Sequence, residues 1–335
     1  MPLTQTRRRT RRFGSFVILC ALTFRFFQSG GSKMLKQWLN QPNTLAILTY
    51  LETGRYVRFS APQGGSAPVF EVFSRESPAP AAPEEDKPVF LESDADGISL
   101  TYSCSLRPEL KPLLTRPLAW DLKGEDPSVL ILHTHATESY TRQEEPYQES
   151  AAYRTTDPGY NMVSLGAYLK TLLAEGGITA LHDETFHDYP SYNGSYVHAR
   201  VAIEQYLTRY PSIRLVLDLH RDALETGGGQ LRTQATAAGQ SCAQLMLVMG
   251  TNASGQDHDR WEDNLSLALK LHLLLERQTP GITRPLQLRA QRFNQDLSPG
   301  AMIVEIGAAG NTRPEALRAT EQLANAILSL AGGTG

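Results

Sequence analysis

The chain has 335 residues, a net charge of −3 and three cysteines, Cys20, Cys104 and Cys242. That length gives room for one large or two modest domains with an ample core, so an enzyme is allowed. The charge creates no global basic field, which argues against nucleic acid as the main partner, and three cysteines supply neither a CxxC pair nor a disulfide framework.

The N-terminus crowds Arg7, Arg8, Arg9, Arg11 and Arg12 before a run from Phe13 to Phe27 that is apolar apart from Arg25 and two hydroxyls. The run is shorter than the ~20 residues of a comfortable spanning helix, but Arg25 can snorkel and the bilayer can thin. No A-x-A cleavage site follows, so a retained signal-anchor is expected, with the arginines cytoplasmic and the rest exported. Residues 1–32 are therefore read as a basic segment and membrane anchor, and residues 33–76 as a membrane-proximal helical region. Residues 77–87, rich in proline, alanine and acid, form a semi-rigid linker, leaving 88–335 for a catalytic domain.

Beyond the linker, strand-like runs at 128–133, 178–182, 213–219, 243–250, 285–290 and 301–306 alternate with helical ones at 161–175, 195–209, 261–277 and 314–331. This alternation predicts an α/β domain built on a single mostly parallel or mixed sheet covered by helices. Asn161 is placed to cap the first helix, Gly176-Gly177 to end it, and Pro314 to open the last.

Three of the apolar runs stop in residues that carry chemistry. Val129-Leu-Ile-Leu132 leads into His133-Thr-His135-Ala-Thr-Glu138, the second run ends at Asp218-Leu-His220-Arg-Asp222, and the third carries Glu305. Ligands gather at the carboxyl ends of strands in open α/β sheets, so one shared site is expected. His135, Glu138 and His220 supply two imidazoles and a carboxylate, the donors of a catalytic zinc. Glu305, ionised, then serves as the proton carrier for an attacking water.

His133 and His135 lie two apart and share a face if the backbone stays extended, so sidedness does not separate them. Depth favours His135 as the ligand with His133 supporting it from below, while binding by His133, or by both, stays open. Asp157 rivals Glu138 for the carboxylate position, its alternative being a turn before the helix. Asp218 is placed to orient His220, and Arg221 either binds a substrate carboxylate or forms a structural ion pair. Asn294, in the polar loop 294–300 leading to the Glu305 strand, either touches substrate or builds a turn. His182, His187, His198, His258 and His272 are read as surface or packing residues. No G-x-S-x-G elbow, P-loop or strand-following G-x-G-x-x-G occurs, and Cys242 precedes its strand, the wrong end for His220 if the strands are parallel.

The blocks His133 to Tyr140, Asp218 to Ala223, Val248 to Asn252, and Asn294 to Gly300 with Val304 to Gly307 resemble, in order, the signature blocks of the stage II sporulation protein P family over roughly 88–331. The resemblance implies an amidase-like fold and a zinc-dependent peptidoglycan hydrolase, related to N-acetylmuramoyl-L-alanine amidases, that removes stem peptides from glycan, with cross-link cleavage as a further option. It implies a membrane-held protein with its catalytic domain outside, acting in engulfment during endospore formation beside stage II proteins D and M. It places His135 and His220 at the metal and Glu305 at the acid/base position, and it points to Asp157 as well as Glu138 for the carboxylate. The rival classes are a zinc carboxypeptidase and a non-catalytic, membrane-anchored wall-binding module.

Overall fold

The computed structural model describes residues 57–59, 70–72, 87–118, 120–141, 153–226 and 229–332. The chain divides into two units, Met1–Ala82 and Pro83–Gly335. In the first, β1 (Val57–Phe59) and β2 (Phe70–Val72) pair antiparallel. These described residues of the stretch expected to be helical are strand, because Val-Arg-Phe and Phe-Glu-Val alternate with period two and use β-favouring residues. The expected anchor at 1–32 and residues 77–86 of the expected linker lie outside the described residues. Among the described residues, no helix is long and apolar enough to cross a membrane.

The second unit runs β3 (Leu100–Ser103), α1 (Leu110–Thr115), β4 (Gly124–Leu132), α2 (Met162–Glu175), β5 (Ile178–His182), α3 (Ser195–Arg209) and β6 (Leu215–Asp222). Two short hairpins follow, β7 (Glu225–Thr226) with β8 (Gly229–Gln230) and β9 (Ala235–Ala237) with β10 (Gln240–Cys242). The chain ends with β11 (Leu245–Gly250), α4 (Trp261–Gln278), β12 (Leu286–Arg289), β13 (Ala301–Ala308) and α5 (Arg313–Leu330). Within this unit every predicted strand and helix forms within a few residues; α1, β3 and the hairpins form in addition, and of these β3 does alternate with period two, in Ile98-Ser-Leu-Thr-Tyr-Ser103. Asn161 caps α2 by accepting from the Val163 amide at 3.0 Å. Thr312 and Glu315 form a capping box at the start of α5, with Pro314 in its first turn.

The sheet has seven strands in the order β3-β12-β11-β13-β6-β4-β5. It is mixed in a specific way: β3, β12 and β11 are parallel to one another, as are β13, β6, β4 and β5, and the two sets meet antiparallel at β11 and β13. The beginning of β11 therefore lies at the edge where β4, β6 and β13 end. This overturns the positional argument against Cys242, which rested on parallel strands. A different argument removes it: Cys242 is fully buried and burial pushes its thiol up to about 12, so no thiolate forms.

Alternation sorts each strand between two layers. Val129, Ile131, Leu215, Leu217, Leu219, Val304 and Ile306 pack with α1, α2, α4 and α5. Leu130, Leu132, Val216 and Ala301 face the other way, onto Ala199 and Ile203 of α3. With both faces covered, the strands read as continuous apolar runs, and each fully buried leucine or isoleucine contributes ~1.5–3 kcal/mol. The polar strand-end residues must be accounted for against this background.

Candidate metal centre

His133 follows directly on β4 and keeps the facing of Val129 and Ile131, toward α2. It is completely buried, with Nε2 2.8 Å from His182 Nε2 and Nδ1 3.3 Å from the Leu219 carbonyl. Gly166 of α2 makes room for this pair, since a Cβ there would meet His182 Nε2 at 2.4 Å and His133 Nε2 at 2.5 Å. Burial, reinforced by His182, pushes the His133 pKa down to about 3, so the ring is neutral. The extended backbone ends at Leu132 and residues 134–137 turn, which carries His135 to the other side of the sheet. Sidedness therefore separates the two histidines after all, and His133 lies outside the donor group.

On that other side three elements converge. Asp218 and His220 alternate with Leu217 and Leu219 on β6, and Glu305 pairs in register with His220 from β13. His135, Glu138 and His220, all buried, place donor atoms within 4.8 Å of one another. Glu138 bridges the two imidazoles: Oε1 is 3.4 Å from His135 Nδ1 and Oε2 is 3.4 Å from His220 Nδ1. Behind His220, Asp218 Oδ1 approaches Nε2 at 2.9 Å, and the same carboxylate accepts from the Thr134 amide at 2.7 Å and hydroxyl at 2.6 Å.

The electrostatics of this group favour positive charge. Burial opposes charging of His220, but Asp218 and then Glu138 outweigh it and lift its pKa well above the usual value. Burial likewise opposes ionisation of Glu138, yet hydrogen bonds from His135 and His220 hold its pKa well below the carboxylate range. Two imidazoles, one carboxylate and a carboxylate behind an imidazole match the donor chemistry and supporting shell of zinc, so these residues fit that ion.

Glu305 is only partly exposed, and its Oε2 is buried without a hydrogen-bond partner. Burial raises its pKa above the ordinary range, with His220 opposing and Glu138 adding to the rise. Without a bound cation, this carboxyl near Glu138 and largely screened from water holds its proton more tightly than an exposed one.

The remaining expected residues build structure. Asp157 is exposed and makes its own turn, accepting from the Gly159 amide at 2.9 Å, so it lies outside the donor group, whose carboxylate among the described residues is Glu138. Arg221 is buried and braces the loop, donating from its backbone amide to Glu138 Oε2 at 3.2 Å, from Nε to the Ser139 carbonyl at 3.1 Å and from Nη2 to the Tyr153 carbonyl at 2.9 Å. Asn294 adopts a left-handed backbone, φ 61°, and donates to the Tyr196 carbonyl at 2.7 Å, a loop-building role. His182, His187, His258 and His272 have buried rings, so of the two readings given to them packing is the one observed.

Sequence reasoning misses four residues of the centre. Arg154 donates from Nη2 to Glu138 Oε1 at 3.1 Å and from Nη1 to Asp188 Oδ2 at 2.7 Å. The Tyr192 ring stacks on His135 with centroids 4.6 Å apart and planes at 25°, and Tyr196 meets the same imidazole edge-on at 5.6 Å. The recurrence of tyrosine at 189, 192 and 196 is the one signal that points at this loop; nothing in the spacing of Arg154 or Asp188 does.

A family model described as Stage II sporulation protein P (SpoIIP) matches residues 73–328. The stage II sporulation protein P of Bacillus subtilis (strain 168) is 28% identical over 221 residues, which cover 60% of this chain and 50% of that protein, so the chain spans about half the length of the curated relative it matches. Similar solved structures include the N-acetylmuramoyl-L-alanine amidase AmiC2 of Nostoc punctiforme, 12% identical with a TM-score of 0.37, covering 62% of this chain and 96% of that one. Another is the N-acetylmuramoyl-L-alanine amidase from Clostridium difficile 630, 15% identical with a TM-score of 0.34, covering 61% of this chain and 94% of that one.

Proposed function

Because the chain belongs to the stage II sporulation protein P family, we propose that it is a peptidoglycan hydrolase of sporulation, and specifically a zinc-dependent N-acetylmuramoyl-L-alanine amidase. In this reading it removes stem peptides from glycan, cuts peptide cross-links as a second activity, and acts during engulfment beside stage II proteins D and M. Residues 1–32 hold it to the membrane and the catalytic domain works on the extracytoplasmic side.

The observation that carries the reading is the convergence of His135, Glu138 and His220 within 4.8 Å, beside a Glu305 whose Oε2 has no partner of its own. Zinc held by those three residues would supply a Lewis acid for the amide carbonyl and make water a stronger acid. Asp218 Oδ1 lies 2.9 Å from His220 Nε2, which leaves Nδ1 as the nitrogen that faces Glu138. Glu305 takes the proton of the attacking water and returns it to the departing amide nitrogen. Its Oε2, which has no hydrogen-bond partner of its own, is the atom placed to accept that proton and give it up. The buried setting keeps bulk water away from the transfer.

Product identity tests the assignment. Digestion of purified sacculi by the zinc-loaded protein should release whole stem peptides with a free L-alanine amino group. Release of single terminal amino acids would make the protein a carboxypeptidase instead, and wall binding with no zinc and no product would make it a binding module.

A further inference from the structure

Arg154 touches Glu138 of the donor group directly and the Tyr192 ring that stacks on His135, and the hydrolytic reading leaves it without a role. It sits opposite Glu138 in an antiparallel bridge, flanked by backbone hydrogen bonds from Ser139 to Tyr153 at 3.0 Å and from Thr155 to Thr137 at 2.8 Å. Its guanidinium uses the planar fork of arginine on two carboxylates: Nη2 donates to Glu138 Oε1 at 3.1 Å, while Nη1 donates to Asp188 Oδ2 at 2.7 Å and to Thr137 Oγ1 at 3.1 Å. Its Cζ also lies 4.8 Å from the centroid of the Tyr192 ring, the ring that stacks on His135.

Asp188 completes the arrangement. Its side chain is entirely buried and accepts from the Thr137 amide at 3.3 Å and from the Thr137 hydroxyl as well as from Arg154. A buried carboxylate opposite Arg154 offsets the cation, so Arg154 can aim Glu138 without cancelling the negative charge that Glu138 offers a metal ion. Tyr192 is 53% exposed although it touches a buried donor, so it is held in place by His135 and Arg154 rather than by the core.

We propose that Arg154, anchored by Asp188, is a positioning residue of the metal site: it orients Glu138 directly and His135 through Tyr192. The proposal rests on the reading of His135, Glu138 and His220 as metal ligands. Zinc affinity tests it without reference to catalysis, using the full-length protein stripped of metal and titrated with zinc against a chromophoric chelator. Arg154→Gln should weaken zinc binding 10–100-fold, the usual scale for losing a residue that orients a ligand. Arg154→Lys should recover only part of that loss, because a point charge does not span both carboxylates. Thermal unfolding of the same metal-free samples should change far less than the affinity does. Unchanged zinc affinity in folded Arg154→Gln would overturn this inference alone, whereas a wild type that takes up no zinc would overturn the ligand reading and the inference with it. Should Arg154→Gln fail to fold, Asp188→Asn decides on the same terms: weaker zinc binding supports the clamp and unchanged binding removes it.

Discussion

Side chains two residues apart have opposite fates at the end of β4, and the difference is made by where the backbone stops being extended. His135→Ala and His220→Ala should each yield folded protein that no longer retains zinc through gel filtration, as measured by elemental analysis, whereas substitutions at Asp157, exposed in its own turn, should leave zinc content unchanged. Gly166→Ala probes the other side of the strand, where a methyl group would drive into His133 and His182. Overpacking of that kind costs ~1–3 kcal/mol, read as a lower midpoint in urea unfolding, with zinc affinity unaltered because neither ring belongs to the donor group. His135, Glu138 and His220 were legible in the sequence because each follows an apolar run that must end at the sheet edge. Arg154 and Asp188 were not, because loops set their contacts and no period marks a loop; only the recurrence of tyrosine at 189, 192 and 196 hints at Tyr192.

At the scale of elements, the α/β alternation and the helix caps can be read from residue patterns, but the reversal between β11 and β13 cannot. Leu245 to Gly250 is an apolar run buried on both faces, and such a run carries no mark of strand direction. Only the length of the intervening chain and its packing decide it. The start of α5 offers a measurable test of how an element is held. Burial works against ionisation of Glu315, but Arg232 and then Ser241, with the Thr312 amide, hold its pKa down to about 2 from an ordinary 4.5. A depressed folded pKa stabilises the protein fully above about pH 4.5, and the contribution is lost as pH falls from there through about 2. Glu315→Gln should therefore unfold ~1–3 kcal/mol more easily at neutral pH, and the gap from wild type should close across that acid window. A gap independent of pH would show that the capping geometry, not the charge, supplies the stability.

For the molecule as a whole, the centre draws β4, β6, β13 and the loops after β4 and β5 into one unit, so a bound metal ion should stabilise the second unit as well as serve the reaction. Zinc at a hundredfold excess over its Kd should add ~2.7 kcal/mol, visible as a higher Tm that chelator reverses. Of the stretches that resemble the family's blocks, His133 to Tyr140, Asp218 to Ala223 and Val304 to Gly307 supply this centre, while Val248 to Asn252 and Asn294 to Gly300 lie toward the opposite edge, where β11 ends and β13 begins. The most direct test of the central claim compares wild type with Glu305→Gln, both stripped and reloaded with zinc, by the soluble stem peptide released from purified sacculi. The account predicts equal zinc content in the two proteins and a ~10²–10⁴-fold lower rate of release by Glu305→Gln. Equal rates, or no release by zinc-loaded wild type, would contradict it.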